Sequence, residues 1–242
     1  LWGPKARETL AQFVEDPDEI SNENFPFATA RQITVAGIDV WAFRISYVGE
    51  QGWELYFSFD DGLKIWDAFF NAGVVPIGVE TYANSRRLEK SLRLQNADLE
   101  TDYNLCEADL ARPVVKKADF HGKPTYVTQR LKEQQDCTLC TMIMLDNQDS
   151  QGVQRFPVGE WPILCSTTKQ VLVSDDGRRS VSTSIAYGPS LGINILMGYL
   201  PANRAKVGEE LLLEYFGDHF PIRVEAVGYQ PLLDPENLRA RS

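Results

Sequence analysis

Within the run FRISYVGEQGWELYFSF, Tyr47, Gly49, Glu50 and Gly52 fall between two alternating apolar stretches. Two glycines able to take positive φ make a bend there, and that bend presents a carboxylate beside a phenol. The same residues also describe an ordinary hairpin with a solvated Glu50 and a packed Tyr47, and composition alone leaves both readings open.

Other candidate chemistry is weaker. Cys137 and Cys140 form a lone CxxC with no second pair or nearby histidine, and positions three apart on a strand point to opposite faces, so they read as strand cysteines rather than zinc ligands. His121 and His219 are the only histidines and are far apart in sequence, which leaves no metal cluster or Ser/His/Asp triad to propose. Gly49-x-x-Gly52 and Gly188-x-x-x-Gly192 lack the strand, glycine-rich turn and helix of a phosphate loop.

The elements that must position the bend follow from periodicity. Gly3 and Pro4 precede Ala6, Leu10 and Phe13 at helical spacing, which predicts a helix over about 4–14. Residues 32–47 alternate in two runs around Ala36 and Gly37, and 53–59 alternate again, an antiparallel meander. Asp60 and Asp61 are expected to cap a helix carrying Leu63, Trp66, Phe69 and Phe70 on one side and ending at Gly73. A second helix is expected over about 78–94, with Tyr82, Ser85, Leu88 and Leu92 on one stripe. Between 96 and 136 the periodicity fades, leaving a short strand, PVVKK, and a helix near 123–134. Beyond 136, short apolar runs separated by turn residues, including Asp176-Gly177 and Gly217-Asp218, predict a β-barrel over 137–236.

The 242 residues allow one large or two modest domains, and 43% apolar with 24% charged residues is the composition of a soluble globular chain. A net charge of −10 disfavours nucleic acid, no apolar run is long enough to span a membrane, and four cysteines are too few for a disulfide framework. A cytoplasmic setting is the expectation.

Five segments in order resemble one family. LWGPKA is similar to an LQGPKA-like opening, and SYVGEQGWEL to a YTGEDGFEL signature. PIGVETYANSRRLEKSLRL is similar to G-x-x-A-R-D-S-L-R-L-E, VVKKADFHGK to VKxxKxDFIGK, and NILMGYLPANRAKVGEELLLEYF to VAMGYVPxxxxxPGTxLxVEV. These are motifs of the glycine-cleavage T-protein (aminomethyltransferase) superfamily, and they cover nearly the whole chain. The resemblance implies a tetrahydrofolate-dependent one-carbon transfer protein with three lobes, the last a β-barrel. It also implies that Glu50 holds the aminopyrimidine edge of the pterin and that Tyr47 packs on or bonds the ring.

The departures from the pattern narrow the expectation. The first arginine of A-R-D-S-L-R-L-E is Ala83 here, so a folate carboxylate contact from that position is lost. Arg87 is retained, either as a ligand of the folate tail or as a helix arginine paired with Glu80 or Glu89. The alanine-asparagine-serine version followed by LEK is similar to the folate-binding halves of dimethylglycine and sarcosine dehydrogenases, which moves the expectation toward demethylation of an N-, S- or O-methyl substrate. The KGCYxGQE signature of the iron-sulfur-assembly branch is absent, and Glu107 and Asp109 read as structural.

The expected fold is α+β. Residues 1–115 are the folate-binding lobe, 116–136 a connection and 137–242 the C-terminal β-barrel. Tetrahydrofolate is the implied cofactor, a small-molecule methyl or aminomethyl donor the implied substrate, and a flavoprotein dehydrogenase or carrier protein a further implied partner. In the family the aspartate acting near N5 precedes the LQGPKA-like segment, so it is expected upstream of Leu1 in a longer enzyme. Competing expectations are a folate-binding module without chemistry and a structural subunit of a flavin dehydrogenase.

Overall fold

The computed structural model describes residues 1–242, which pack as two compact units: Leu1–Arg87 with Asp234–Ser242, and Leu88–Leu233. In the first unit, β1 (Ala30–Val35), β2 (Ile38–Phe43) and β3 (Glu54–Tyr56) form an antiparallel sheet in that order. Ala36 and Gly37 make the β1–β2 turn with both φ values positive (52° and 73°), the conformation a two-residue hairpin needs. Alternation sends Ile33, Val35, Ile38, Val40 and Ala42 inward, where they meet Ala6 and Leu10 of α1 (Ala6–Leu10), Trp53, and Ile65 of α2 (Gly62–Asn71).

The helices depart from the sequence expectations in specific ways. α1 stops at Leu10 rather than near 14, because Gln12 and Phe13 turn back to carbonyls three residues earlier. Asp60 and Asp61 make no carboxylate cap; a 3-10 turn over Phe59–Asp61 leads into α2 instead. α2 ends before Gly73 (φ 83°), but its apolar side is wider than the core beneath it: Ile65 is buried and Phe69 packs inward, while Leu63, Trp66 and Phe70 stay exposed. α3 comprises a π-helical turn, Thr81–Arg86, and a final α-turn, Arg87–Glu89; it ends well before 94 because Ser91 takes a positive φ of 52°.

The second unit is built on one antiparallel sheet in the order β5-β8-β9-β4-β7-β6, with β4 (Cys137–Met144), β5 (Ile163–Cys165), β6 (Ser182–Gly188), β7 (Ile193–Pro201), β8 (Glu210–Tyr215) and β9 (Asp218–Val227). Residues beside the two edge strands also pair: the Ile163 N–H donates to the Ser180 carbonyl (3.0 Å) and the Ser182 N–H to the Trp161 carbonyl (2.8 Å), which curls the sheet closed. Closure removes the open edges that a six-stranded sheet would otherwise expose. Cys140 faces the cluster of Met142, Leu196, Leu211 and Ile222, and Cys137 the cluster of Leu88, Leu139 and Tyr199. The CxxC therefore does point to two faces, and all four cysteines are free. Burial pushes the Cys140 thiol up to about 12.

The segment before β4 contains α4 (Lys123–Arg130), shorter than the helix expected there, and PVVKK forms no strand. Instead the Arg130 guanidinium donates to the carbonyls of Arg112 and Pro113, taking acceptors that a ladder would have used. Glu107 is buried and accepts from Arg178 (2.5 Å) and the Asn104 N–H (2.9 Å), while Asp109 accepts from the Tyr229 N–H (2.7 Å). Both tie loops to the barrel. No helix is long and apolar enough to cross a membrane.

Candidate functional site

The bend between β2 and β3 is held from two directions. On one side Gly52 bridges to Trp2, the Gly3 N–H donates to the Gln51 carbonyl (2.9 Å) and the Trp53 N–H to the Leu1 carbonyl (2.9 Å). A Cβ at Gly52 would lie 2.0 Å from the Leu1 carbonyl oxygen, so only glycine lets the two backbones approach. On the other side stands the C-terminal turn α5 (Leu238–Arg241). Gln51 Nε2 donates to the Ser242 carbonyl (2.5 Å), and so does the Arg44 guanidinium (2.6 Å), which also reaches the carbonyls of Arg241 (3.1 Å) and Phe25 (2.6 Å). Arg44 is buried over the Trp53 ring at 5.6 Å, and that burial, with Arg7 nearby, lowers its pKa to about 10.

Glu50 sits at the middle of this bend, its N–H donating to Ser46 Oγ (3.0 Å). Its Oε1 accepts from Arg86 (2.6 Å) and from Arg239 (3.1 Å), and the side chain keeps 16% of its surface exposed. Tyr47 packs on Tyr82 with ring centroids 5.3 Å apart, and Tyr82 packs on Trp2 at the same separation. The hydroxyls of Tyr82 and Tyr56 donate to the two oxygens of Glu54 (3.4 and 2.7 Å). Burial, then the Glu54 charge, pushes the Tyr82 phenol up to about 12, so it stays a neutral donor at ordinary pH. Beside these rings a groove of about 500 Å³ is lined by Trp2, Tyr56, Trp66, Phe70 and Tyr82.

Sequence reasoning singled out Tyr47, Glu50 and Arg87. The structure brings Tyr47 and Glu50 together on the bend. Arg87 is fully buried, its Nε donating to the Ala83 carbonyl (2.7 Å) and a terminal nitrogen to Asn84 Oδ1 (3.4 Å). The guanidinium at Glu50 is that of the preceding residue, Arg86, joined by Arg239. The pair of arginines at 86 and 87 was visible in the sequence, but the π-helical turn that aims the first of them was not; nothing in the sequence pointed to Arg239.

Residues 1–118 match the GCVT N-terminal domain, and residues 162–228 the glycine cleavage T-protein C-terminal barrel domain. The chain belongs to the glycine-cleavage T-protein (aminomethyltransferase) superfamily. Within it, 99% of the chain is 30% identical to mitochondrial dimethylglycine dehydrogenase of Homo sapiens, of which it covers 26%. It is 31% identical to the sarcosine oxidase subunit alpha of Rhizobium meliloti (strain 1021), covering 24% of that protein, and 29% identical to an aminomethyltransferase of Staphylococcus carnosus, covering 54%. The chain thus spans about a quarter of the first two relatives and about half of the third. The crystal structure of the glycine cleavage system aminomethyltransferase T from Bartonella henselae shares the fold, with a TM-score of 0.75 at 21% identity over 96% of this chain and 58% of that one. The expected α+β fold with a C-terminal barrel is the one this family has.

Proposed function

We propose that these residues are the folate-binding and barrel lobes of a tetrahydrofolate-dependent one-carbon transferase that takes a methyl or aminomethyl unit from a small-molecule donor. The observation that carries the reading is Glu50, a carboxylate held on a glycine-flanked bend beside Tyr47, with its second oxygen, Oε2, outside both guanidinium contacts. That geometry fits the aminopyrimidine edge of a pterin, which presents two parallel N–H donors to a carboxylate. Tyr47, backed by Tyr82, offers a ring face to the flat pterin. Arg87 is the position the family resemblance suggests for the folate tail, yet its covered surface and its bond to the Ala83 carbonyl support bracing of α3 instead.

Bound tetrahydrofolate supplies, at N5, the nucleophile that accepts the carbon unit. What these residues add is orientation, the part of a two-reactant transfer that positioning accelerates most. The aspartate that handles the proton near N5 is proposed to lie in the part of the full-length protein outside this chain, a reading supported by the quarter to half of the relatives' length spanned here. From the order of the family motifs 1–115, 116–136 and 137–242 are proposed as folate lobe, connection and barrel lobe, with the tail 234–242 belonging to the first compact unit, and the similarity to dimethylglycine dehydrogenase supports a flavoprotein dehydrogenase or carrier protein as partner. The competing reading, a folate-binding module or flavoprotein subunit without transfer chemistry of its own, draws support from Ala83 and from the chain's match to one quarter of a dehydrogenase.

Two measurements test the reading. Calorimetry on full-length protein should show Glu50→Gln weakening 5-formyltetrahydrofolate binding by about 1.5–3 kcal/mol, the worth of a charge-assisted hydrogen bond; unchanged affinity removes Glu50 from the site. Incubation with tetrahydrofolate and glycine-cleavage intermediate, dimethylglycine, sarcosine, dimethylsulfoniopropionate or methoxylated aromatics, read as methyl- or methylene-tetrahydrofolate by mass, separates an enzyme from a binding module.

A further inference from the structure

Both cations at Glu50 bond the same oxygen. Arg86 and Arg239 each donate to Oε1, at 2.6 and 3.1 Å, and neither donates to Oε2. A carboxylate oxygen has two lone-pair sites, so Oε1 is saturated while Oε2 is not. A planar edge with two parallel N–H donors needs one site on each oxygen. One of the two guanidiniums must therefore withdraw before such an edge can seat.

The structure distinguishes them. The Arg86 side chain is 15% exposed, makes the shorter bond and projects from α3. The Arg239 side chain is 48% exposed and makes the longer bond. Its backbone is nevertheless pinned: the Leu238 and Arg239 N–H groups donate to the Asp234 carboxylate (2.9 and 3.1 Å), and Arg44 and Gln51 hold the Ser242 carbonyl. Withdrawal of Arg239 is thus a rotation of one side chain toward solvent, with the turn that carries it left in place.

We propose that Arg86 is the positioning residue that fixes the Glu50 carboxylate, and that Arg239 is its exchangeable partner, occupying Oε1 until a ligand's donor edge replaces it. The proposal rests on the reading of Glu50 as a pterin anchor.

The experiment is calorimetry of 5-formyltetrahydrofolate on the full-length protein and on Arg86→Gln, Arg239→Gln, Glu50→Gln and the two double variants with Glu50→Gln. Arg239→Gln should bind about two- to fivefold tighter, the range of an exposed ion pair removed as a competitor, and Arg86→Gln at least about fivefold weaker. Both effects should vanish in the Glu50→Gln background, which a merely structural role would not do. If Arg86→Gln unfolds, Arg86→Lys, which keeps the charge without the planar fork, should bind more weakly than the unsubstituted protein. Weaker or unchanged binding in Arg239→Gln, or an effect that persists without the carboxylate, overturns the exchange. Unchanged affinity in Glu50→Gln alone overturns the pterin-anchor reading itself.

Discussion

Replacing Gly52 with alanine tests whether the Glu50 bend depends on the close passage of two backbones. The added methyl would lie 2.0 Å from the Leu1 carbonyl oxygen and 2.8 Å from Trp2 Cα and Cδ1, so the strands must part. Two hydrogen bonds flank that crossing, Gly3 N–H to Gln51 and Trp53 N–H to Leu1. Losing both removes about 2 kcal/mol, at about 1 kcal/mol each. Forced repacking adds about 1–3 kcal/mol. Their sum is about 3–5 kcal/mol, and in a chain of this size each kcal/mol moves the melting temperature by about 2–4 °C, so a fall of about 6–20 °C is expected. Gly208→Ala is the control: its φ is +86° but no atom lies within 4 Å, so it bears only the left-handed backbone penalty of about 1–2 kcal/mol. Scanning calorimetry compares the two. If Gly52→Ala melts no lower than Gly208→Ala, the close approach is not what requires glycine and the account of the bend fails.

Other expectations are narrower. The Cys140 thiol, raised by burial from 9 to about 12, stabilises the folded state fully below pH 9, and that contribution is lost as pH rises toward 12, because the unfolded thiol ionises first. Between pH 8 and 10.5 the urea midpoint of the unsubstituted protein should therefore fall further than that of Cys140→Ala; equal slopes would remove Cys140 from the alkaline transition. Glu107→Ala leaves the Arg178 guanidinium, stacked on Tyr103, with only Asp176 and the Asp102 carbonyl as acceptors and should lower stability by about 1–3 kcal/mol in denaturant titration, whereas a loss under about 0.5 kcal/mol would show that those two acceptors satisfy Arg178 without Glu107. In a thiol-reagent time course on folded protein, Cys106 and Cys165 should react before Cys137 and Cys140, which are buried in separate clusters; a fast third or fourth thiol contradicts the packing.

Local rules carried the sequence reading furthest where one residue's choice is nearly independent of the rest. Strict alternation around Ala36-Gly37 fixed the β1–β2 hairpin, and strand geometry alone sent Cys137 and Cys140 to opposite sides. The reading fell short where a distant group decides the outcome. PVVKK has strand composition, but Arg130 from the next helix takes the Arg112 and Pro113 carbonyls. Trp66 and Phe70 have core composition, yet the three-stranded sheet offers cover only to Ile65 and Phe69. Of the candidate site, the family resemblance singled out the side chains of Tyr47 and Glu50, and the bend was legible from the glycines around them. The Arg86 and Arg239 contacts were not, since one depends on a π-helical turn and the other on a residue 189 positions away.

The membership of Asp234–Ser242 in the first unit has a consequence for the order in which the protein matures during translation. Residues 1–87 leave the ribosome before 88–233, with the hairpin core of Ile33, Val40 and Trp53 already complete. The brace on the bend is not: Arg44 and Gln51 wait for Ser242, and Glu50 waits for Arg239. Residues 88–233 must be synthesised in between, which takes about 7–30 s at about 5–20 residues per second. Throughout that interval the nascent chain carries the Glu50 bend with Arg44 still lacking its tail acceptors, so the bend takes its final form only after the second unit has been made.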